Sequence, residues 1–234
     1  VNPTMDDNGD HIGGIVGTLK GIGYAIREYN ATRCIIVFDG KGGSQTRKKQ
    51  FEGYKAQRET NKLRINRAYA GMMNEEDERE SMKRQFVWLN EILNYLPVTT
   101  MIYDGVEADD VIATLVRIAK EKGFKSVISS LDKDLMQLVE DPISTMMNTM
   151  THQIFDEQKV FDKFGVKPTQ IRDMLALVGD TSDNIPGVPK VGIKTAAKWL
   201  NEFGDIGKII ENAESIKGKV GENLRSSLED LDRN

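Results

Sequence analysis

The sequence predicts an α/β protein with a mostly parallel central sheet and helices on both of its faces. Three observations predict it. Short, apolar, β-branched runs alternate with stretches of helical periodicity, the first run stops at Asp39-Gly40, and three sets of acids each follow a predicted strand closely. In a parallel sheet fed by helices, ligands collect at the carboxyl ends of the strands, so acids from separate places are expected at one edge.

The opening Asn2 to Gly14 is polar and glycine-rich and reads as a loop. Helical periodicity follows from Ile15 to Tyr29, then the run Cys34, Ile35, Ile36, Val37, Phe38, which is read as a buried parallel strand. Glu78 to Tyr95 reads as a helix, Val98 to Tyr103 as a strand, Asp110 to Lys122 as a helix, and Ser126 to Ser130 as a strand ending at Leu131-Asp132-Lys133-Asp134. A hairpin is expected from Thr145 to Met150 and His152 to Phe155, with helices near Gln158 to Phe164 and Thr169 to Val178. Glycines and prolines between Gly179 and Gly192 mark a tight turn before an amphipathic helix that runs to Phe203. The tail from Asp205 to Asn234 is helical in composition.

Length and composition bound the class. With 234 residues, 39% hydrophobic and 29% charged, the chain matches an ordinary soluble globular protein, one domain or a domain with an appendage. No apolar run approaches a membrane span and no secretory leader is visible, so a cytoplasmic setting and no membrane partner are expected. Cys34, the single cysteine, cannot form an internal disulfide and is expected in the core. His11 and His152 lie outside the acid sets and are expected at the surface.

The net charge of −4 argues by itself against a polyanionic partner, but its distribution does not. From Lys41 to Arg67 nine basic residues stand against two acidic ones, a net +7 that leaves −11 for the rest. Such polarity lets one segment hold a polyanion and another hold cations.

The acids carry the chemistry. In Gly105-Val106-Glu107-Ala108-Asp109-Asp110-Val111, three carboxylates crowd the first turn of a predicted helix. One acid there complements the helix dipole; three repel one another unless a cation neutralises them, and hard divalent cations prefer oxygen ligands. Asp39 and the pair Asp132 and Asp134 add to them at other predicted strand ends. Six acids at the strand ends of one inferred sheet exceed what turn chemistry explains, so a metal site is expected. Gly192, ahead of a helix carrying Lys194 and Lys198, fits a plain helix connection and also offers amides and positive charge to a phosphate.

Together these residues resemble the 5′ nuclease family: the 5′-3′ exonuclease domain of bacterial DNA polymerase I and the phage flap endonucleases. The stretches that carry the resemblance are Val37 to Gly40, Phe51 to Arg58, Gly105 to Val111, Asp132 to Asp134 with Gln137 to Val139, and Gly179 to Ala197. The resemblance implies a PIN-like core over 1–156 with a helical arch at about 41–80, and a helical region over 157–234 with a helix-hairpin-helix at about 179–203.

It further implies a metal-dependent, structure-selective 5′ nuclease, exonuclease or flap endonuclease, acting on DNA in replication and repair. Two Mg²⁺ ions, which Mn²⁺ replaces, are implied on Asp39, Glu107, Asp109 and Asp110 as one group and Asp132, Asp134, Asp180 and Asp183 as the other. Lys55 and Arg58 take the positions that contact the scissile phosphate. Arg47, Lys48, Lys49, Tyr54, Gly187, Lys190, Gly192, Lys194 and Lys198 are implied on DNA, and backbone carbonyls of Val188, Val191 and Ile193 on a K⁺ ion. The implied partner is DNA with 5′ flaps, ends or branches, bound by a monomer. Two ions of this kind activate a water and stabilise a leaving oxygen, so no serine, cysteine or histidine nucleophile is required.

One departure matters. The family carries a further metal-binding Asp at the end of its first strand, and no apolar run precedes Ile15; Asp6, Asp7 and Asp10 stand in polar loop sequence. The expectation is that the natural protein has a strand upstream of Val1. The alternative is a module that binds DNA junctions or ends without cutting, and the crowded acids, which repel DNA phosphate unless neutralised, argue against it.

Overall fold

The computed structural model describes residues 4–56 and 75–231. Of the arch expected at about 41–80, residues 57–74, with Arg58 among them, lie outside the described residues. The chain divides into two compact units, Val1–Phe38 with Thr60–Ile102, and Asp39–Glu59 with Tyr103–Asn234. Both units are discontinuous in sequence, whereas the sequence reading divides the chain once, after residue 156.

In the first unit, helix α1 (Gly13–Glu28) and helix α3 (Glu75–Leu93) share a small core of Ile15, Leu89 and Leu93, against which Leu19, Ile22 and Trp88 pack. The acids from Glu75 to Glu80 are the first turns of α3, which begins three residues before the helix start expected at Glu78. Charge of this sign complements the amino end of a helix. Strand β1 (Ile35–Phe38) pairs in parallel with β2 (Thr99–Ile102), Ile35 opposite Thr99 through to Phe38 opposite Ile102. The expected buried strand is only partly covered: Ile35 is 39% exposed and Cys34 half-buried, because β1 belongs to a sheet of two strands among the described residues. Before α1, Asp6 accepts the amides of Asn8 and Asp10, and Met5 and His11 form an isolated bridge. His11 is half-buried beside Gln85 rather than at the surface.

The second unit holds helix α2 (Gln45–Gln50), helix α4 (Ala108–Glu121) and a three-stranded sheet. Strand β3 (Ser126–Ser129) pairs in parallel with β4 (Ser144–Met147), which takes β5 (Ile154–Phe155) antiparallel on its other edge. The hairpin is as expected; its parallel seat beside β3 is not visible in periodicity. Among the described residues the expected parallel pairing falls in two small sheets. Helices α5 (Glu157–Phe164), α6 (Ile171–Val178), α7 (Ile193–Phe203), α8 (Ile206–Glu211), α9 (Gly218–Ser226) and α10 (Leu228–Leu231) complete the unit.

Helices α4 to α10 close on one core. Helix α7 buries Ala196, Ala197, Trp199 and Leu200, the helical spacing of one face, and Leu177, Leu200, Ile209 and Leu224 are fully buried. Each such leucine or isoleucine contributes about 1.5–3 kcal/mol by leaving water. Helix α5 starts at Asp156, whose side chain accepts the Lys159 amide at 2.8 Å, and stops at Gly165 with φ of 73°.

Candidate active site

The whole described site lies in the second unit. Asp39 follows β1 directly, and its Oδ1 accepts the Ala108 amide at 2.8 Å. The Gly40 amide donates to the Val106 carbonyl, and a Cβ at Gly40 would overlap the Tyr103 carbonyl. Only glycine lets these two loops come so close, and their approach sets Asp39 against the amino end of α4.

Glu107 caps α4 in extended conformation and is 4% exposed. Its Oε2 takes three donors: the Tyr54 hydroxyl at 3.1 Å, Lys55 Nζ at 3.0 Å and Arg47 Nη1 at 3.0 Å. Its Oε1 is buried with no hydrogen-bond partner. Arg47 also grips both oxygens of Asp110, at 2.8 and 3.0 Å, and the bond to Asp110 is the main reason its guanidinium is held above the usual range. Burial, then the charges of Asp132 and Asp39, push the Asp109 carboxyl upward. Burial, followed by the nearby charges of Asp183 and Glu107, drives the Tyr54 hydroxyl far up, so it stays a donor.

The second acid group is built on two turns. Asp132 accepts the Asp134 amide at 3.0 Å and so opens a short 3-10 helix, Lys133–Leu138. Burial and the charges of Asp132 and Asp180 push the Asp134 carboxyl up to about 6, and its Oδ1 is buried without a partner. Asp180 behaves oppositely. Burial alone would raise it, but hydrogen bonds from Ser182 and Lys133, the latter at 2.9 Å, outweigh burial and hold it below the usual range. The Asp183 carbonyl accepts the Lys55 amide and Asn184 donates to the Gly53 carbonyl, each at 2.9 Å. These bonds tie the start of the basic segment to the second acid group. Lys55 and Asn184 both sit at left-handed φ, 56° and 59°.

The donor set fits divalent cations. The two raised carboxyls, Asp109 and Asp134, are what buried, crowded acids show when their charge is under-compensated, and Glu107 and Asp134 each keep one buried oxygen without a hydrogen-bond partner. The eight acids are not drawn into closed cages: among the described residues no three His, Cys, Asp or Glu side chains form a ready metal-binding group. Arg47, Lys55 and Lys133 instead take carboxylate oxygens of Glu107, Asp110 and Asp180.

Several residues expected on DNA or phosphate differ in setting. Tyr54 is 6% exposed and turned to Glu107, so its ring offers no surface to a base. Arg47 is spent on two carboxylates, and Lys55 on Glu107 and the Tyr54 ring. Lys49, Lys190, Lys194 and Lys198 are exposed, while Lys48 is half-buried on α2. Lys194 and Lys198 line a groove of about 510 Å³ with Lys217 and Trp199.

The turn from Gly179 to Gly192 is closed by paired backbone bonds between Asp180 and Ile185, and Gly179 and Gly187 touch backbone to backbone. Val188 and Val191 are buried, and the Val188 carbonyl already accepts the Val191 amide; Ile193 opens α7. Sequence reasoning missed Ser182 and Lys133 as supports of Asp180, and Asn184 as the tie to Gly53. Their signal was position alone, inside Asp180-Thr181-Ser182-Asp183-Asn184 and between Asp132 and Asp134.

Parallel strand pairs with carboxylates crowded in the loops that follow them define an α/β protein with an acidic site. Family models identify which. One described as the 5′-3′ exonuclease N-terminal resolvase-like domain matches residues 1–165, and one described as the 5′-3′ exonuclease C-terminal SAM fold matches 166–234. The chain belongs to the 5′-3′ exonuclease family.

A 5′-3′ exonuclease of Buchnera aphidicola subsp. Schizaphis graminum is 35% identical over 218 residues, 92% of this chain and 69% of that protein. DNA polymerase I of Mycobacterium leprae is 41% identical over 149 residues, 62% of this chain and 16% of that protein. This chain therefore spans a small part of the polymerase relatives it matches. The crystal structure of bacteriophage T5 D15 flap endonuclease, in a pseudo-enzyme-product complex with DNA and metal ions, superposes with a TM-score of 0.77 at 26% identity, over 94% of this chain and 78% of that one.

Proposed function

We propose that this chain hydrolyses phosphodiester bonds near the 5′ ends, flaps and branches of DNA, with Mg²⁺ ions held by Asp39, Glu107, Asp109 and Asp110 and by Asp132, Asp134, Asp180 and Asp183. The observation that carries this reading is the pair of bare, buried carboxylate oxygens on Glu107 and Asp134, set among acids disturbed by burial and then by mutual repulsion. Bound divalent ions supply a water of lowered pKa and charge to stabilise the leaving oxygen. Family membership and the DNA and metal ions named for the T5 enzyme support the same reading.

The chain's own residues have separable tasks. Lys55, seated between the two acid groups, offsets charge that builds on a phosphate there, with Arg58 beyond the described residues as its expected partner. Lys190, Lys194 and Lys198 hold duplex backbone without reading bases, and a K⁺ ion at the turn would be held by backbone carbonyls of Val188, Val191 and Ile193, the first of which also accepts the Val191 amide. The enzyme acts as a monomer in DNA replication and repair.

The test is cleavage of a 5′-end-labelled flap with Mg²⁺ and with EDTA, by the wild type and by Asp132→Asn. Cleavage with Mg²⁺ alone, lost in the variant while DNA binding persists, is the expected result. Undiminished cutting by the variant would refute the site.

A further inference from the structure

We infer that Tyr54 is a positioning residue for Glu107: its hydroxyl, with Arg47 and Lys55, grips one oxygen of this buried carboxylate and so presents the other to a divalent cation. The inference rests on the metal reading above and adds to it a residue outside the acid groups.

The geometry is one-sided. All three donors meet Oε2, at 3.0 to 3.1 Å, and none meets Oε1, although the side chain is 4% exposed and Oε1 is sealed from water. A free glutamate has three torsions and distributes its donors over both oxygens. Here the torsions are locked by contacts to one oxygen, which leaves the other without a partner, two residues along the chain from Asp109, on which the charges of Asp39 and Glu107 both act. A ligand locked in this way loses less conformational freedom when the ion arrives, and outer partners of this kind tune metal affinity.

Tyr54 is the informative member of the three. Arg47 and Lys55 carry charge, so removing either changes both the orientation of Glu107 and the local potential. Tyr54 is neutral, and removing its hydroxyl leaves the charge of the site unchanged. Its ring is 6% exposed and packed, so the phenylalanine variant keeps the packing while losing only the hydrogen bond. The residue is itself tied in place: the Tyr54 amide donates to the Phe51 carbonyl at 2.9 Å, and the next residue is fastened to Asp183.

The experiment is calorimetric titration of Ca²⁺ into the full chain without DNA, for the wild type, Tyr54→Phe, Glu107→Gln and the double variant. Flap affinity in EDTA is measured alongside. Tyr54→Phe is expected to weaken Ca²⁺ binding about tenfold, to add nothing to the loss caused by Glu107→Gln, and to leave flap affinity in EDTA unchanged. Wild-type Ca²⁺ affinity in Tyr54→Phe, additive losses in the double variant, or a loss confined to flap affinity would each overturn the inference and leave the metal site standing. A wild type that takes up no Ca²⁺ would instead bring down the metal reading, and this inference with it.

Discussion

Asn184 holds Gly53: its side-chain amide donates to the Gly53 carbonyl at 2.9 Å, from a backbone in the left-handed region at φ of 59°. Asparagine tolerates that conformation better than other residues with a side chain, and glycine adopts it freely. Asn184→Ala loses the hydrogen bond and pays for the strained backbone, whereas Asn184→Gly loses only the bond. Alanine is expected to be the more destabilising by about 1 kcal/mol, as urea denaturation of the two variants would measure. Equal losses would show that the hydrogen bond alone matters.

Asp134 predicts a pH dependence. Its carboxyl, raised to about 6 by burial and by Asp132 and Asp180, binds its proton more tightly folded than unfolded. It therefore contributes stability below the ordinary carboxylate range, and that contribution is lost as pH rises through about 6. In EDTA, Asp134→Asn should be more stable than the wild type near neutral pH, with the difference vanishing in mild acid. Thermal melts across that range provide the check, and Mg²⁺ should erase the advantage of the variant.

Arg47 and Asp110 form an unequal pair. Asp110 has a side chain 51% exposed, whereas Arg47 also serves Glu107, which is 4% exposed. Asp110→Ala is expected to cost about 0–1 kcal/mol, as exposed ion pairs do. Arg47→Ala removes a cation from a buried carboxylate and should cost about 1–3 kcal/mol. Denaturation in EDTA compares them, and added Mg²⁺ should narrow the gap.

Two glycines should respond in opposite directions. A Cβ at Gly187 would collide with the backbone of Val178 and Gly179, so Gly187→Ala should destabilise by about 1–3 kcal/mol. Gly17 lies within α1 with nothing within 4 Å of an added Cβ, and Gly17→Ala should stabilise by about 0.5–1 kcal/mol. Melting temperatures of both variants test the pair.

Lys194 and Lys198 stand exposed, one turn apart on α7. If each neutralises one phosphate, alanine at either position should reduce the slope of log affinity against log salt by about one, uniformly across DNA sequences. Fluorescence anisotropy of a labelled flap in EDTA, at several salt concentrations, measures this slope.

The sequence by itself determined the alternation of strand and helix, the crowding of acids in Gly105 to Val111, the polarity of the basic segment and the tight turn at Gly179 to Gly192. These are local properties: periodicity, spacing and turn chemistry act within a few residues and are legible without coordinates. What only the tertiary structure decided was pairing. Tyr54 reads as an aromatic in a basic stretch and becomes a buried donor to Glu107, 53 residues away. Arg47 reads as a cation for DNA and is paired with Glu107 and Asp110, and Cys34 reads as core and is half-buried beside β1. Nor could periodicity show that β3 would pair with β4, since two short apolar runs carry no record of which neighbour each will take. Partner choice depends on loop closure, burial and charge summed over the whole chain, and those quantities exist only once the chain has folded.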